Sequence, residues 1–423
     1  MTDNLYNDIL IFTGAGFSRP AGCKLSGEML KDLENKSNDG SSNIFSNIEK
    51  KTIKFILSCL DYQARWRFLE SNGKYLYIPN IEEFAVLLRR IKNRDNYLPY
   101  PVTGNWSDKL MILEQDFNKE EKKYESDLYT SIESKIINNC YQEWLCNINI
   151  SNDNTSYLNQ LKEFIQKKLT STKIKLDVFT LNNDLLMEVA FKEENTHYIG
   201  FVSNKWVGFD KSDIDENTYS ASRINYYKLH GSLDWIRLTD GTIKKKFNEK
   251  NNETIDNENV DIDPLLIFGH GSKIYTVDPF FSLLEMFKAK LKEKKYYLVI
   301  GYSFFDPHIN NLIFNELMNN HDKILIIFNP KLNDKLNEEN NFEVKYNLKI
   351  LKGEKKQLII EEFENIQKNP LYSDLPEFNL KTISPESFEY IPIGTEEFLD
   401  LLKEGNINAF IDELKYDKEK RIF

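Results

Sequence analysis

The residues best suited to chemistry in this 423-residue chain stand in short polar clusters, each directly after an apolar run. Gly14 and Gly16 follow the run ILIFT, and glycines between a strand and a helix allow backbone amides to approach a phosphate. His230 follows another apolar run, and the pKa of a histidine lies close enough to 7 for a general base. Asn182 is placed in the same way, and its amide can orient water without competing as a charged nucleophile. Residues of these types suit phosphate binding, proton transfer and the orientation of a water, although each cluster alone is a weak signal.

Each cluster follows an apolar run that is typical of a buried strand. Ligands of doubly wound sheets bind beyond the carboxyl ends of the strands, so we expect the clusters to lie on one rim. Because helical segments separate the runs, the sequence predicts an α/β fold with a Rossmann-like doubly wound parallel sheet. Residues 265–268 are expected to resume this sheet. The predicted strands and the clusters that follow them are residues 9–13 with Gly14 to Ser18, residues 175–180 with Leu181 to Asp184, residues 226–229 with His230 to Ser232, residues 297–300 with Gly301 to Ser303, and residues 324–328 with Asn329.

Three stretches fall outside this alternation. Residues 28 to about 170 repeat apolar side chains every three or four positions, which predicts a helical insertion between the first two strands. Residues 241–261 are polar and are expected to form an exposed excursion. Residues 331–423 combine charged segments, short strands and a terminal helix near residues 396–414, which indicates a small C-terminal α+β appendage. This appendage has no catalytic signal, so we expect it to serve assembly or partner binding.

The composition argues against several classes of protein. Hydrophobic residues make up 41% of the chain, enough for a sizeable core, and the net charge of −11 argues against broad binding to DNA or an anionic membrane. The four cysteines form no CxxC pair, so a structural zinc is not expected. The N-terminus lacks the features of a signal peptide, and no apolar run approaches the roughly 20 residues that span a bilayer. A cytoplasmic protein with reduced thiols is therefore expected.

The clusters also resemble, in their order, the motifs of the sirtuin family. GAGFS, TLNND, KLHGSLDW and GYSFFDPHIN are similar to the GAGxS, TxN-x-D, HG and GxS motifs of that family. In these longer forms the last two resemble the bacterial sirtuin-like branch linked to phage defence. The resemblance covers roughly residues 8–330, and it implies a sirtuin-like NAD-binding catalytic domain within residues 1–330.

The resemblance implies a role for each matching position. Asn182 would lie against the nicotinamide ribose and hold the attacking water, and His230 would be the general base beside the ribose hydroxyls. Asp184 would accept a hydrogen bond from the nicotinamide carboxamide. Cleavage of such a bond passes through an oxocarbenium-like state, and its leaving group is already cationic, so a base and an oriented water matter more than a strong acid. The other cofactor-binding positions would be Gly14, Ala15, Gly16 and Ser18 at the pyrophosphate, Thr180 in the TxN-x-D motif, and Gly301, Ser303 and Asn329 at or near the adenosine ribose.

Three departures from the deacetylases of that family redirect the expected reaction. The two CxxC pairs of their zinc module are missing, and residues 21–25 read AGCKL where they carry a proline, an acidic residue, Phe and Arg. Phe268-Gly269-His270 stands where they have Phe-Gly-Glu in the groove for the acyl peptide. An acyl-lysine substrate thus loses its binding surface, and water becomes the expected acceptor. The resemblance then implies an NAD hydrolase that releases nicotinamide and ADP-ribose and acts in phage defence by depleting NAD.

Other functions fit the same motifs. A non-catalytic module that senses NAD or ADP-ribose would need the pocket but no base, and a protein deacylase or ADP-ribosyltransferase would need a surface for its acceptor. The defence branch implies control by assembly, so a homo-oligomer and a HerA-type ATPase partner are expected, with any contact to nucleic acid made by the partner.

Each motif also has a purely structural interpretation. The glycines could form only a turn between a strand and a helix, and Asn182 with Asp184 could cap the helix that follows them. His230 could be a satisfied core histidine. Asp306 and Pro307 are most simply the start of a helix.

Overall fold

The computed structural model describes most of the chain, with gaps between the described ranges. His270 and residues 247–261 of the expected excursion lie outside these ranges. The described residues are 2–70, 78–94, 104–120, 126–146, 153–169, 175–191, 196–198, 200–202, 204–209, 224–246, 264–269, 277–345, 348–367 and 379–421.

Short apolar strands form the centre of the fold. Most of the central strands are five residues long and buried along their whole length, as expected for parallel strands covered on both faces. The strands are β1 (Ile9–Thr13), β2 (Leu176–Thr180), β3 (Thr196–Tyr198), β4 (Phe201–Val202), β5 (Lys205–Trp206), β6 (Ile224–Lys228), β7 (Trp235–Arg237), β8 (Ile243–Lys245), β9 (Tyr296–Ile300), β10 (Ile324–Phe328), β11 (Phe342–Lys345), β12 (Leu348–Leu351) and β13 (Phe388–Ile391).

The main sheet is parallel throughout. In the described part of the chain it has seven strands in the order β13-β10-β9-β1-β2-β6-β3. The chain proceeds from β1 toward β2 and β6 on one side, and it returns to β9 and β10 on the other. A crevice forms beyond the strand ends where the order reverses in this way, and ligands of doubly wound sheets bind there. The predicted Rossmann-like doubly wound fold is confirmed.

Helices cover both faces of the sheet. Ile11, Val178 and Leu298 face one hydrophobic core, whereas Phe12, Phe179 and Val299 face another, because successive side chains of a strand point to opposite faces. The helices are α1 (Ser26–Asn38), α2 (Asn47–Glu70), α3 (Ile81–Lys92), α4 (Gly104–Glu120), α5 (Leu128–Lys135), α6 (Tyr141–Trp144), α7 (Asn159–Phe164), α8 (Leu186–Ala190), α9 (Phe280–Glu293), α10 (Pro307–Asn319), α11 (Gln357–Gln367), α12 (Thr395–Glu404) and α13 (Asn406–Arg421).

The predicted helical insertion is confirmed as mainly helical. Helices α1 to α6 enclose a third hydrophobic core, in which Phe84 and Trp144 are fully buried. This core also takes in Leu185, Leu233 and Phe268, which belong to the segments at the strand ends. The insertion therefore packs directly over the rim of the sheet.

Residues 265–268 were expected to resume the sheet, and this prediction was wrong. Leu266 makes only an isolated bridge to Gly231 within the described residues. This segment crosses the rim instead, because Ile267 N donates to His230 O and Leu265 O accepts from Ser232 N.

The C-terminal part also differs from the expected elements. A single terminal helix was predicted near residues 396–414, but two helices meet at Gly405, which has a φ of +82° and ends α12 in the left-handed conformation. Strand β13 pairs with β10 at the edge of the main sheet, so the region beyond residue 330 contributes to the central fold. Strand β8 joins β4, β5 and β7 in a small antiparallel sheet that was not predicted.

Candidate active site

The clusters at the carboxyl ends of β1, β2, β6 and β9 line two adjoining cavities. The inner pocket has a volume of about 120 Å³, and the outer cleft has a volume of about 910 Å³. The volume of the outer cleft lies within the roughly 300–1,000 Å³ that small-molecule sites occupy. Residues that line both cavities include Ala15, Asn80 and Ser303, so the two cavities adjoin each other. The inner pocket is lined by residues that include Ser18, Asn182, Asp184, His230 and Asp306, and the outer cleft by residues that include Gly16, Arg19, Glu28, Gly301, Asn329 and Thr395.

Ser18, Asn182 and Asp184 form one hydrogen-bonded chain in the inner pocket. Ser18 Oγ donates to Asp184 Oδ2 at 2.6 Å. Asn182 Nδ2 donates to Ser18 Oγ at 2.9 Å and to Gly14 O at 3.0 Å. Because these bonds use both hydrogens of Nδ2, Oδ1 is the side-chain atom with which Asn182 can meet a ligand or a water. Asp184 Oδ1 also accepts from Leu186 N at 3.1 Å, so this carboxylate binds the first amide of α8 as well as Ser18.

His230 is held by a buried carboxylate that the sequence indicated only as a helix start. Its Nε2 lies 2.8 Å from Asp306 Oδ2, and both side chains are buried. Asp306 Oδ1 accepts from the amides of His308 and Ile309, so the same residue caps α10. A proton on Nε2 that faces the carboxylate puts the basic lone pair of the imidazole on Nδ1. The geometry is that of a general base with an orienting partner.

The glycines after β1 approach the neighbouring loop closely. Gly14 N donates to Ile300 O at 3.0 Å, and Gly16 N donates to Gly301 O at 2.9 Å. A Cβ at Gly14 or Gly16 would lie 2.7 Å from the backbone of Gly301. Among the described residues no acceptor is found for Ala15 N, and Ala15 lines both cavities. The structure thus gives the glycines a packing role, and the phosphate-binding role of the turn stays a prediction.

The remaining predicted positions divide between support and lining. Thr180 is fully buried and lines neither cavity; its Oγ1 accepts from Asn182 N at 3.0 Å, so it positions Asn182. Gly301, Ser303 and Asn329 all line the outer cleft. Asn329 Oδ1 accepts from Lys331 N at 3.0 Å, which orders the chain beyond β10. The roles that the family resemblance implies for these residues stay predictions.

Two residues that were not predicted for the site join the segments of Asn182 and His230. Asn183 Nδ2 donates to His230 O at 2.8 Å and to Gly231 O at 3.1 Å. Lys228 Nζ donates to Asp184 O at 2.5 Å and to Ser232 Oγ at 2.7 Å. The only signal in the sequence for this connection between the two segments was the polar residue between Asn182 and Asp184.

Charged side chains that lie outside the inner pocket contact the segments at the rim. Lys228 Nζ also binds Glu188 Oε1 at 3.0 Å, yet burial raises the pKa of Glu188 because desolvation outweighs this cation. Burial lowers the pKa of Lys245 to about 8, although the carboxylates of Asp234 and Glu188 oppose the shift. These groups belong to the support of the site, since none of them lines the inner pocket.

A cysteine also lines the inner pocket, but it is a poor nucleophile. Burial raises the pKa of the Cys23 thiol far above its ordinary value, and the charge of Asp184 adds to the shift. The thiolate is the reactive form of cysteine, so burial disfavours reaction at this side chain. Nucleophilic catalysis by Cys23 is therefore not supported.

The described residues provide neither a metal site nor a membrane helix. They contain no group of three or more His, Cys, Asp or Glu side chains arranged for a metal ion. Each helix in the described ranges is too short or too polar to cross a bilayer.

Residues 177–351 match the model of a family described as a SIR2-like domain. Asn182, His230 and Asp306 lie within the matched residues, whereas the turn after β1 lies before them. No curated protein matches the sequence.

Solved structures of Sir2 homologues are similar to the chain. One is a complex of a Sir2 homologue with NAD, at 13% identity and a TM-score of 0.36, covering 96% of this chain and 93% of that chain. Two others are complexes with ADP-ribose of a Sir2 homologue that carries a histidine-to-asparagine or a serine-to-alanine substitution. The first is 12% identical with a TM-score of 0.35 and covers 96% of both chains. The second is 12% identical with a TM-score of 0.34 and covers 97% of this chain and 96% of that chain.

Proposed function

We propose that this chain hydrolyses NAD to nicotinamide and ADP-ribose, with Asn182 and His230 as its catalytic residues. The observation that carries the proposal is the meeting, in one inner pocket, of the chain from Ser18 through Asn182 to Asp184 with the pair of His230 and Asp306. The match of residues 177–351 to a SIR2-like domain supports the same assignment.

The reaction needs few groups, and the inner pocket supplies them. The bond between C1′ of the ribose and the nicotinamide nitrogen breaks, and nicotinamide leaves as a neutral molecule with the bonding electrons. A water oxygen bonds to C1′, and its proton passes to His230 and then to solvent. NAD and water thus yield nicotinamide, ADP-ribose and one proton. Asn182 Oδ1 would orient the water, and the Asp306 carboxylate would stabilise the imidazolium.

The two cavities suit the two ends of a dinucleotide. The nicotinamide ring and its ribose would enter the inner pocket beside Asp184 and His230. The pyrophosphate would lie near the amide of Ala15, and the adenosine would occupy the outer cleft beside Ser303 and Asn329. The dinucleotide would then extend along the rim in the order of the strands, from the end of β6 past β1 and β9 to the end of β10.

Packing around Phe268 favours water over a peptide as the acceptor. The Phe268 ring contacts the Tyr141 ring of the insertion edge to face, with centroids 5.3 Å apart. Gly269, with a φ of +69°, lies so close to α3 that a Cβ would come within 2.7 Å of Ala85 Cβ. The helical insertion therefore packs against Phe268 and Gly269, which belong to the segment that the family resemblance assigns to the groove for an acyl peptide.

The test is to incubate the purified full-length protein with NAD and to quantify nicotinamide and ADP-ribose by chromatography. Asn182→Ala and His230→Ala should each abolish release, whereas His321→Ala, which changes an exposed histidine after α10, should retain wild-type activity. NAD binding without product would support the sensor, and transfer of label from NAD onto protein would support a transferase. Full activity in both Asn182→Ala and His230→Ala would contradict the assigned site.

We further propose that this activity serves phage defence and is released by assembly, with a HerA-type ATPase as the partner. The support is the resemblance of the KLHGSLDW and GYSFFDPHIN segments to the defence branch. Co-expression with such an ATPase, followed by size-exclusion chromatography and NAD assays during infection, tests it. Separate elution together with unchanged NAD in infected cells would contradict it.

A further inference from the structure

Arg19 lines the outer cleft beside the turn that carries the amide of Ala15. Its guanidinium makes a bidentate pair with Glu28, from Nη1 to Oε2 at 2.6 Å and from Nη2 to Oε1 at 2.7 Å. Nη1 also donates to Cys23 O at 3.2 Å. Both members of the pair line the cleft, and their side chains are 50% and 43% exposed. The pair is therefore open to a ligand.

The other basic side chains at the two cavities are further from this turn in sequence or are engaged elsewhere. Lys331 lines the outer cleft beyond β10 and pairs with Asp334 at 2.8 Å. Lys24 lines the inner pocket and pairs with the partly buried Asp32 at 2.7 Å. A dinucleotide pyrophosphate is an anion, and the amide of Ala15 is a neutral donor. Arg19 is a cation in the same short helical turn as Ala15.

We propose that Arg19 binds the pyrophosphate of the substrate and that Glu28 is an internal competitor that holds Arg19 in the free protein. This inference rests on the function proposed above. A planar guanidinium binds phosphate oxygens through the same two parallel bonds with which it binds a carboxylate, so the pyrophosphate can replace Glu28 without a change in geometry. Exposed ion pairs contribute little to the free energy of folding, so breaking the pair of Arg19 and Glu28 costs little stability.

Arg19 and Glu28 should change the affinity for the substrate in opposite directions. Loss of Arg19 removes the cation that attracts the pyrophosphate. Loss of the Glu28 charge removes both the competitor and a carboxylate that repels the ligand. Glu28→Gln keeps the start of α1, because Leu25 N donates to Glu28 Oε2 at 2.9 Å and a glutamine accepts the same bond in a capping box. A pair with only a structural role would weaken binding in both variants.

The experiment measures binding of NAD and ADP-ribose by isothermal titration calorimetry, with nicotinamide as a probe that lacks phosphate, and steady-state kinetics with NAD. Arg19→Ala should raise the Kd for NAD and ADP-ribose about tenfold, as expected for a hydrogen-bonded charge, and leave kcat and nicotinamide binding unchanged. The Kd values of Arg19→Lys should lie between those of the wild type and those of Arg19→Ala, because lysine keeps the charge but not the bidentate geometry. Glu28→Gln should lower both Kd values about two- to fivefold, an effect that salt reduces.

Arg65→Ala is the matched control, since Arg65 is an exposed arginine that pairs with Asp61 on α2 away from the cleft. It should leave every affinity unchanged. Wild-type affinity in Arg19→Ala, or weaker binding in Glu28→Gln, would overturn the role of Arg19 while leaving the hydrolase intact. A wild-type protein that neither binds nor cleaves NAD would overturn both.

Discussion

His230 Nε2 and Asp306 Oδ2 lie 2.8 Å apart, although 76 positions separate the two residues in the sequence. The other oxygen of Asp306 receives the first amides of α10. The imidazole is thus bonded to the start of the helix that follows β9, so its orientation depends on that helix as well as on the turn after β6.

Replacing Asp306 with Asn should lower kcat by about 10²-fold, at the lower end of what general acid–base groups contribute. Asparagine still caps α10, so the thermal midpoint should change little, but a neutral amide cannot stabilise the imidazolium. Initial rates of nicotinamide release and a thermal melt measure the two effects. A kcat within twofold of wild type would remove Asp306 from the mechanism.

Replacing Asn183 with Ala should lower kcat and cost about 1–3 kcal/mol of unfolding free energy, because Gly231 O loses this donor and His230 O loses one of two donors, keeping the amide of Ile267. Asn225→Ala is a control, since Asn225 is a buried asparagine on β6 that binds Asp177. It should be destabilised to a similar extent with kcat unchanged. Equal losses of activity in the two variants would mean that Asn183 acts only on stability.

Replacing Gly16 with Ala should destabilise the fold by about 1–3 kcal/mol, the range for forced overpacking, because its Cβ would meet Gly301 Cα at 2.7 Å. At Gly353 the added Cβ meets no atom within 4 Å, so Gly353→Ala should change stability by less than about 0.5 kcal/mol. Chemical denaturation of both variants provides the comparison. Similar midpoints for the two would show that the loops can separate without cost.

The stability of the helical insertion should fall at low pH because Asp32 becomes protonated. Burial opposes ionisation of this carboxyl, but hydrogen bonds from Lys24, Trp144 and Lys36 outweigh it and lower its pKa to about 2. A folded pKa below the unfolded one stabilises the fold at neutral pH, and this contribution disappears as pH falls from about 4 to about 2. We expect Asp32→Asn to be about 1–2 kcal/mol less stable at pH 6. This difference should vanish near pH 2, and a difference that stayed constant with pH would contradict the assignment.

Replacing Thr395 with Val should raise KM for NAD several-fold with little change in kcat. Thr395 Oγ1 donates to Gly16 O at 3.0 Å, so this hydroxyl holds the turn that presents Ala15 to the ligand. Thr382→Val is the control, because Thr382 makes a local bond to Asn379 O on an exposed turn. An unchanged KM in Thr395→Val would mean that the turn keeps its conformation without this contact.

The sequence predicted the parallel sheet and the rim because both depend on local signals. Apolar runs that end in Gly14, Asn182 or His230 identify a strand and its end without knowledge of distant contacts. Asp306 was predicted only as a helix start, because nothing local reveals that its second oxygen meets an imidazole 76 positions away. Residues 265–268 have the composition of a strand, but their backbone bonds join the loop after β6 instead of the sheet.

The bond from Thr395 to Gly16 joins the end of the chain to its beginning, across 379 positions. Gly394 and the first turn of α12 line the outer cleft, and strand β13, which leads into them, pairs with β10 at the edge of the main sheet. A chain cut off before residue 394 would keep Asn182 and His230 but would lack this wall of the outer cleft. The residues proposed for chemistry and the surface proposed for binding are therefore separable along the sequence.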